Sequence, residues 1–117
     1  MSYSEMTDFE INLRVSLLQG YDANVKQHFG EAGLATVKTT EGMLDFCNSW
    51  ADAGPIIEKN LIALKPASLF VGGYRWFASK GEGDFGKKTA DDNPLRAAMI
   101  LFLMLKEGKD DKITETP

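Results

Sequence analysis

A run of nine residues near the C-terminus, from Ala97 to Leu105, contains no polar side chain. Asn93 and Pro94 precede it in an order that begins helices, because Asn caps free N–H groups and a proline in the first position loses no hydrogen bond. Gly108 predicts where the helix ends. A helix that is apolar on every face is buried on every side. The sequence therefore predicts a domain that closes around its last helix.

Two interpretations of what covers this helix follow. In a chain of 117 residues, one sheet face and one other helix cover only part of the circumference of the last helix. Either the N-terminal helix covers the remainder, or a second subunit does, in which case the helix forms the seam of a homodimer or higher oligomer.

The N-terminal helix is predicted over residues 8–19. Thr7 and Glu10 have the spacing of a capping box, in which each side chain accepts from the backbone N–H of the other residue. Gly20 predicts the stop. The predicted buried stripe consists of apolar residues at helical spacing: Ile11, Val15 and Leu18, widened by Leu17.

A small antiparallel sheet is predicted from the middle of the chain. Residues 61–65, 68–71 and 74–78 read as a three-stranded meander over about 61–78, with a turn at Pro66 and a two-residue hairpin turn at Gly72-Gly73. A further short strand is predicted at 34–39, and 24–29 is read as either a strand or a loop.

The remaining segments complete an α+β fold. Ser49 caps one predicted turn over 49–53, and a helix restarts near Pro55 and runs to Asn60, because proline disrupts a helix interior. Residues 79–92 are predicted to form a loop. We expect a single α+β domain over 1–108 and a flexible polar tail over 109–117.

Composition argues against several classes of function. The net charge of −4 argues against non-specific binding to nucleic acids and to anionic membranes. The single cysteine, Cys47, cannot form an internal disulfide, and no signal sequence or membrane span is expected. We expect a cytoplasmic protein.

The sequence contains no catalytic or metal-binding signature, so no enzyme activity, metal or cofactor is predicted. Residues 81–86 match G-x-G-x-x-G, but no helix follows directly and the loop is acidic. His28 lacks companions for a metal site or triad, and Cys47 lies in an apolar run. The pairs Asp91-Asp92 and Asp110-Asp111 are adjacent and point apart, so they make poor acid–base pairs.

Aromatic residues provide the candidate binding residues. Trp50 and Trp76 are interpreted as core anchors. The alternative is an aromatic binding surface for a planar ligand, whose speculative ligand-binding residues combine stacking with positive charge: Tyr74, Arg75, Trp76 and Arg96.

Two blocks of sequence carry a family resemblance. Residues 45–60, DFCNSWADAGPIIEKN, and residues 93–99, NPLRAAM, resemble the short NinX-like proteins of tailed phages and prophages of enteric bacteria. The resemblance spans about residues 5–107. It implies a phage accessory protein in the cytoplasm of a bacterial host and implies no particular activity.

Two function classes remain open. The first is a non-enzymatic protein that binds a host protein and alters host metabolism or defence. The second is an oligomeric small-molecule binder that sequesters a nucleotide-derived immune signal.

Overall fold

The computed structural model describes residues 3–21, 36–39, 42–80 and 87–108. A 3₁₀ turn over Tyr3–Glu5 precedes the first helix. The helices and strands then follow in the order α1 (Asp8–Leu18), β1 (Val37–Thr39), β2 (Gly42–Leu44), α2 (Trp50–Lys59), β3 (Ala63–Ser68), β4 (Tyr74–Lys80), β5 (Lys87–Asp91) and α3 (Pro94–Glu107). The α+β class predicted from the sequence is confirmed.

The described strands form two antiparallel sheets. β1 pairs with β2, and β3, β4 and β5 form a three-stranded sheet in that order. The antiparallel three-stranded sheet is confirmed, but two of its predicted strands are wrong. One strand, β3, replaces the strands predicted at 61–65 and 68–71, and the third strand, β5, lies beyond the predicted limit at residue 78. Residues 79–80 and 87–91 belong to strands, so the prediction of a loop over 79–92 is wrong there. Cross-strand pairing overrides the local Gly and charge composition of this segment.

Pro66 lies inside β3, opposite Trp76, and not in the predicted turn. Leu69 donates its backbone N–H to the Gly73 carbonyl at 3.0 Å. Hydrogen-bonded and non-hydrogen-bonded pairs alternate along an antiparallel ladder, which places Pro66 in a non-hydrogen-bonded pair. Because β3 is an edge of the described sheet, the missing N–H of Pro66 removes no ladder bond.

The α2 helix is continuous through Pro55, so the predicted break before this residue is wrong. Ser49 caps the helix by accepting from the Asp52 N–H at 3.2 Å. The carbonyl that Pro55 leaves without its helical partner belongs to Ala51. Ala51 and Pro55 are both exposed, so water can satisfy that carbonyl.

The α3 helix lies at the centre of the hydrophobic core. It begins with the Asn93 cap and ends at Gly108, which has φ 73°, as predicted. Its buried residues extend unbroken from Ala97 to Met104, all at most 2% exposed. The helix packs against α1, α2, β4 and β5. One chain therefore covers it, as in the first interpretation, and an oligomer would have to use another surface.

The buried face of α1 differs from the predicted stripe. Ile11 and Val15 are buried as expected, but Leu17 and Leu18 are 55% and 44% exposed. Two polar residues, Asn12 and Ser16, are fully buried in their place. The Ser16 hydroxyl donates to the Asn12 carbonyl at 2.8 Å, and the Asn12 side chain enters the polar network described below.

Candidate functional site

A partly buried polar network joins α1, the turn after β2 and the start of α3. It is built from residues distant in the sequence: Asp8, Asn12, Asp45, Cys47, Asn48, Asp91, Asn93 and Arg96. Polar groups in a protein interior are stable only when they are hydrogen-bonded, so this network dictates how the three segments meet.

Asn12 connects α1 to the turn. Its Oδ1 accepts from the Cys47 backbone N–H at 3.0 Å, and its Nδ2 donates to Asp45 Oδ1 at 2.8 Å. Asn12 is 0% exposed, so neither of these groups has water as an alternative partner. The amide supplies one acceptor and one donor in directions that no other side chain of this size reproduces.

Asn93 connects the same turn to α3. Its Oδ1 accepts from the backbone N–H groups of Leu95 and Arg96, which caps the helix. Its Nδ2 donates to the Cys47 carbonyl at 2.8 Å. The backbone of Cys47 is therefore held on both sides, by Asn12 through its N–H and by Asn93 through its carbonyl.

Arg96 connects α3 to the N-terminal segment. Its Nη1 lies 2.6 Å from Asp8 Oδ1, and its Nε lies 3.1 Å from Asp91 Oδ1. Its Nη2 donates to the backbone carbonyls of Ser4 and Met6. All three guanidinium nitrogens are thus engaged, and the side chain is 13% exposed.

The electrostatics keep Arg96 positively charged. Burial by itself lowers the pKa of Arg96, but the hydrogen bond to Asp8 and the charges of Asp91 and Asp8 outweigh it and raise the pKa above its ordinary value. The guanidinium held between two carboxylates stays protonated, so Arg96 does not act as an acid or a base.

The Cys47 thiol lies inside the network but is not activated. It is 0% exposed, and its Sγ lies 3.9 Å from the Asp8 carbonyl. Burial, followed by the negative charge of Asp8, raises the pKa of Cys47 far above its ordinary range. The thiol is therefore protonated at neutral pH, whereas nucleophilic cysteines need a lowered pKa and access to solvent. The placement of Cys47 in the core is confirmed.

The β3–β4 hairpin ends in an exposed apolar loop. Leu69 donates to the Gly73 carbonyl and accepts from the Gly72 N–H, which encloses the three-residue loop Phe70–Gly72. Gly72 has φ 102° and Gly73 has φ 81°, a left-handed conformation that glycine adopts without steric cost. The predicted hairpin is confirmed, but its two central turn residues are Phe70 and Val71, which are 105% and 89% exposed.

The four predicted ligand-binding residues do not share one surface. Tyr74 and Trp76 lie on the side of β4 that also carries the buried Ala78, and Arg75 lies on the opposite side, 3.2 Å from Asp92. Tyr74 is 59% exposed. Trp76 lies opposite Asp91, which in turn bonds Arg96.

The prediction that Trp50 anchors the core is wrong. Trp50 is the first residue of α2 and is 58% exposed, because the helix turns this position away from α3. Trp76 is half-buried. Core positions that sequence reasoning assigned to tryptophan are taken by smaller residues of the same helix, Ala53 and Ile56.

A cleft of about 320 Å³ opens between the end of α1, β2 and α2. Its walls combine apolar side chains with a few polar groups, and they consist of Gln19, Tyr21, Leu44, Ala51, Asp52, Pro55, Ile56 and Lys59. None of the four predicted ligand-binding residues lies on it.

Several predictions concern residues outside the described ranges, namely 24–29 with His28, the glycine-rich motif at 81–86, and the tail at 109–117 with Asp110-Asp111. A strand and not a helix follows the glycine-rich motif, in agreement with its rejection as a nucleotide fingerprint. Within the described ranges, no group of three or more His, Cys, Asp or Glu residues could hold a metal ion. Asp91 and Asp92 bond different arginines, as expected of carboxylates that point apart.

Sequence reasoning missed four members of the network, namely Asp8, Asn12, Asp45 and Asn48, of which Asn12 alone is fully buried. The position of Asn12 next to Ile11 in an amphipathic helix places it at the border of the buried stripe, and nothing local marks it as buried.

None of the described helices could span a membrane. The longest of them is α3, whose 14 residues would extend about 21 Å, whereas roughly 30 Å is needed to cross a bilayer.

One known protein family matches almost the whole chain. No match to the sequence was found among the curated proteins. The family model described as "Bacteriophage P22, NinX" matches residues 2–106, which include the whole polar network, the hairpin and nearly all of α3. The chain therefore belongs to the NinX family of phage proteins, as its two sequence blocks suggested.

Proposed function

We propose that this NinX-family chain is a non-enzymatic phage accessory protein that binds a host protein in the bacterial cytoplasm and thereby alters host metabolism or defence. The contact is made by the hairpin tip, defined as residues Leu69–Tyr74. The observation that carries the proposal is the full exposure of Phe70 and Val71 at the centre of the turn.

The composition of the hairpin tip is unusual for a turn. Turn centres favour Gly, Pro, Asn, Asp and Ser, each of which supports the backbone geometry. Phe70 and Val71 offer no such support, and their exposed side chains stabilise nothing within the chain. Tyr74 is also largely exposed. Contiguous exposed apolar residues of this kind mark protein contacts.

The hairpin tip can supply useful binding energy. Full burial of a large apolar side chain contributes roughly 1.5–3 kcal/mol. Phe70 and Val71 together would thus provide about 3–6 kcal/mol before the entropic cost of association. Two backbone hydrogen bonds, between Leu69 and Gly73 and between Gly72 and Leu69, already close this turn, which reduces the conformational freedom that it loses on binding.

The chemistry of the buried groups supports a role without catalysis. Cys47 is protonated by burial, and the Arg96 guanidinium is fully engaged with backbone and carboxylate groups. Both residues hold segments of the fold together. A catalytic acid, base or nucleophile would need access to a substrate and a pKa near neutrality.

The proposal is tested by capture from lysate of the bacterial host with the tagged full-length chain. The double variant Phe70→Ser/Val71→Ser should lose a stoichiometric partner that the wild type retains. Leu17→Gln is the matched control, because Leu17 is an exposed apolar residue on α1, and this variant should retain the partner. Equal capture by all three proteins would refute a role for the hairpin tip.

The second proposal, an oligomer that sequesters a nucleotide-derived immune signal, is favoured by the exposure of Tyr74, the last residue of the hairpin tip. An exposed phenol ring can stack on a nucleobase. This alternative predicts an oligomer in light scattering and a thermal shift with cyclic dinucleotides that Tyr74→Ala abolishes. A monomeric protein whose melting temperature does not change with cyclic dinucleotides would rule out this alternative.

A further inference from the structure

The three-stranded sheet has one side that no described element covers. On the other side, Ala78 and its neighbour Thr89 are buried beneath α3. Successive side chains of a strand point to opposite faces. The residues that alternate with Ala78 and Thr89 form what we call the outer face, which consists of Ala63, Lys65, Ala67, Arg75, Phe77, Ser79, Lys88 and Ala90.

Phe77 stands at the centre of the outer face. It pairs with Lys65 on β3 and with Ala90 on β5, and the residue is 42% exposed. Directly opposed side chains have their Cβ atoms about 5 Å apart, so the Lys65 chain lies beside the ring. The small side chains of Ala67 and Ala90 leave the ring accessible from above.

The outer face is positively charged although the chain carries a net charge of −4. Lys65 is exposed, and no described carboxylate lies within ion-pairing distance of it. Arg75 pairs with Asp92 at 3.2 Å, with side chains 46% and 80% exposed. Exposed pairs of this kind contribute little to stability, so Arg75 can exchange its partner at low cost. Lys88 adds positive charge while engaged within the chain.

The charges decide which occupant fits the outer face. In a second copy packed face to face, Lys65 and Arg75 would lie close to the Lys65 and Arg75 of the first copy, and the like charges would repel. A polynucleotide would be repelled by the net negative charge and would leave the adjacent Leu69 and Phe70 without apolar contacts. An acidic protein segment satisfies both the cations and the apolar residues.

We propose that the outer face binds an acidic, extended segment of the partner protein, with carboxylates on Lys65 and Arg75 and an apolar side chain over Phe77. The inference rests on the proposed function, since the hairpin tip, which begins at Leu69 on the same side of the sheet as Lys65, would anchor the same partner. The hairpin tip supplies apolar affinity, and the outer face supplies the charge recognition.

The experiment uses the full chain and a defined peptide. The peptide alternates Glu with Ser around one central Trp, is long enough to cross the sheet, and is titrated into ¹⁵N-labelled protein at low ionic strength. Amide resonances of β3 and β4 should shift, and binding should weaken when salt is raised to about 1 M. A peptide with Gln in place of every Glu should not bind.

Variants locate the contact. Lys65→Glu and Phe77→Ser should each weaken peptide binding about fivefold or more. Lys59→Glu, which makes the same charge change at an exposed site on α2, should leave it within about twofold. Circular dichroism confirms that each variant is folded. Equal weakening by Lys59→Glu and Lys65→Glu, no binding of the Glu peptide, or tighter binding of single-stranded oligothymidylate would overturn the inference.

The two proposals fail separately. If host-protein capture requires Phe70 and Val71 but the Glu peptide does not bind, the outer-face inference is wrong and the proposed function stands. If the Glu peptide binds through Lys65 but Phe70→Ser/Val71→Ser retains the captured partner, the hairpin-tip contact is wrong.

Discussion

Asn12 accepts a hydrogen bond from the Cys47 backbone N–H across 3.0 Å, although 35 residues separate the two in sequence. The same amide donates to Asp45, so a single side chain fixes the turn after β2 against α1. Because Asn93 donates to the Cys47 carbonyl, the start of α3 is held against the same turn. The network thus positions the core helix on which the sheet and its hairpin rest.

Substitution of Asn12 should therefore destabilise the fold. Asn12→Ala leaves the buried Cys47 N–H without a partner and should lower the free energy of unfolding by about 1–3 kcal/mol. Asn12→Asp should lower it by about 2–4 kcal/mol, since two carboxylates then meet at the position of a 2.8 Å hydrogen bond. Urea unfolding measures both values.

A paired substitution controls this prediction. Asn12→Asp/Asp45→Asn exchanges donor and acceptor across the same contact and should recover most of the loss. Stability of Asn12→Asp alone should increase as the pH falls, because the paired carboxylates share a proton more easily in the folded state. A double variant no more stable than Asn12→Asp would contradict the assigned geometry.

Arg96 should prove irreplaceable by lysine. Arg96→Lys keeps the charge but cannot bond two carboxylates and two backbone carbonyls at once, so it should cost about 2 kcal/mol of stability. The loss should be accompanied by faster amide hydrogen exchange at the 3₁₀ turn, which Arg96 holds through Ser4 and Met6. Arg75→Lys, in an exposed pair, should change stability by less than about 0.5 kcal/mol. Similar effects of both substitutions would count against this role for Arg96.

Leu61 is a site of backbone strain. It follows the C-cap of α2 with φ 56° and is 76% exposed, and its N–H donates to the Glu58 carbonyl while that of Ile62 donates to Ile57. Glycine normally occupies this position of the motif, as Gly20 does after α1.

Leu61→Gly should accordingly raise the free energy of unfolding by about 1 kcal/mol. Leu61→Ala keeps the Cβ atom and should remain close to the wild type, so the difference between the two variants isolates the backbone strain. Thermal or urea denaturation measures it. A glycine variant less stable than the alanine variant would mean that no strain is relieved.

Cys47 should behave as a protonated core residue. The raised pKa means that the folded state keeps the thiol proton while the unfolded state loses it above about pH 9. Its contribution to stability is therefore complete below that pH and decreases as the pH rises, by about 1 kcal/mol between pH 9 and pH 10 relative to Cys47→Ala. Iodoacetamide should modify the folded wild type only at the rate of unfolding. Rapid alkylation of native protein at pH 7 would contradict the buried position.

Local patterns in the sequence determined the helix ends and the class of the fold. The Thr7–Glu10 capping box, the Asn93 cap and the glycines after α1 and α3 act through neighbouring backbone groups, so they can be recognised from spacing alone. The burial of α3 followed from composition, because an apolar helix has no face to present to water. The NinX family was recognisable from two short blocks.

Only the tertiary structure decided which polar residues are buried and which aromatic residues are exposed. Asn12 and Arg96 are satisfied by partners far along the chain, and no local spacing encodes such contacts. Trp50 is exposed because the rotation of α2 about its axis is set by packing against α3. Phe77 faces outward because strand register, a long-range property, places Ala78 beneath α3.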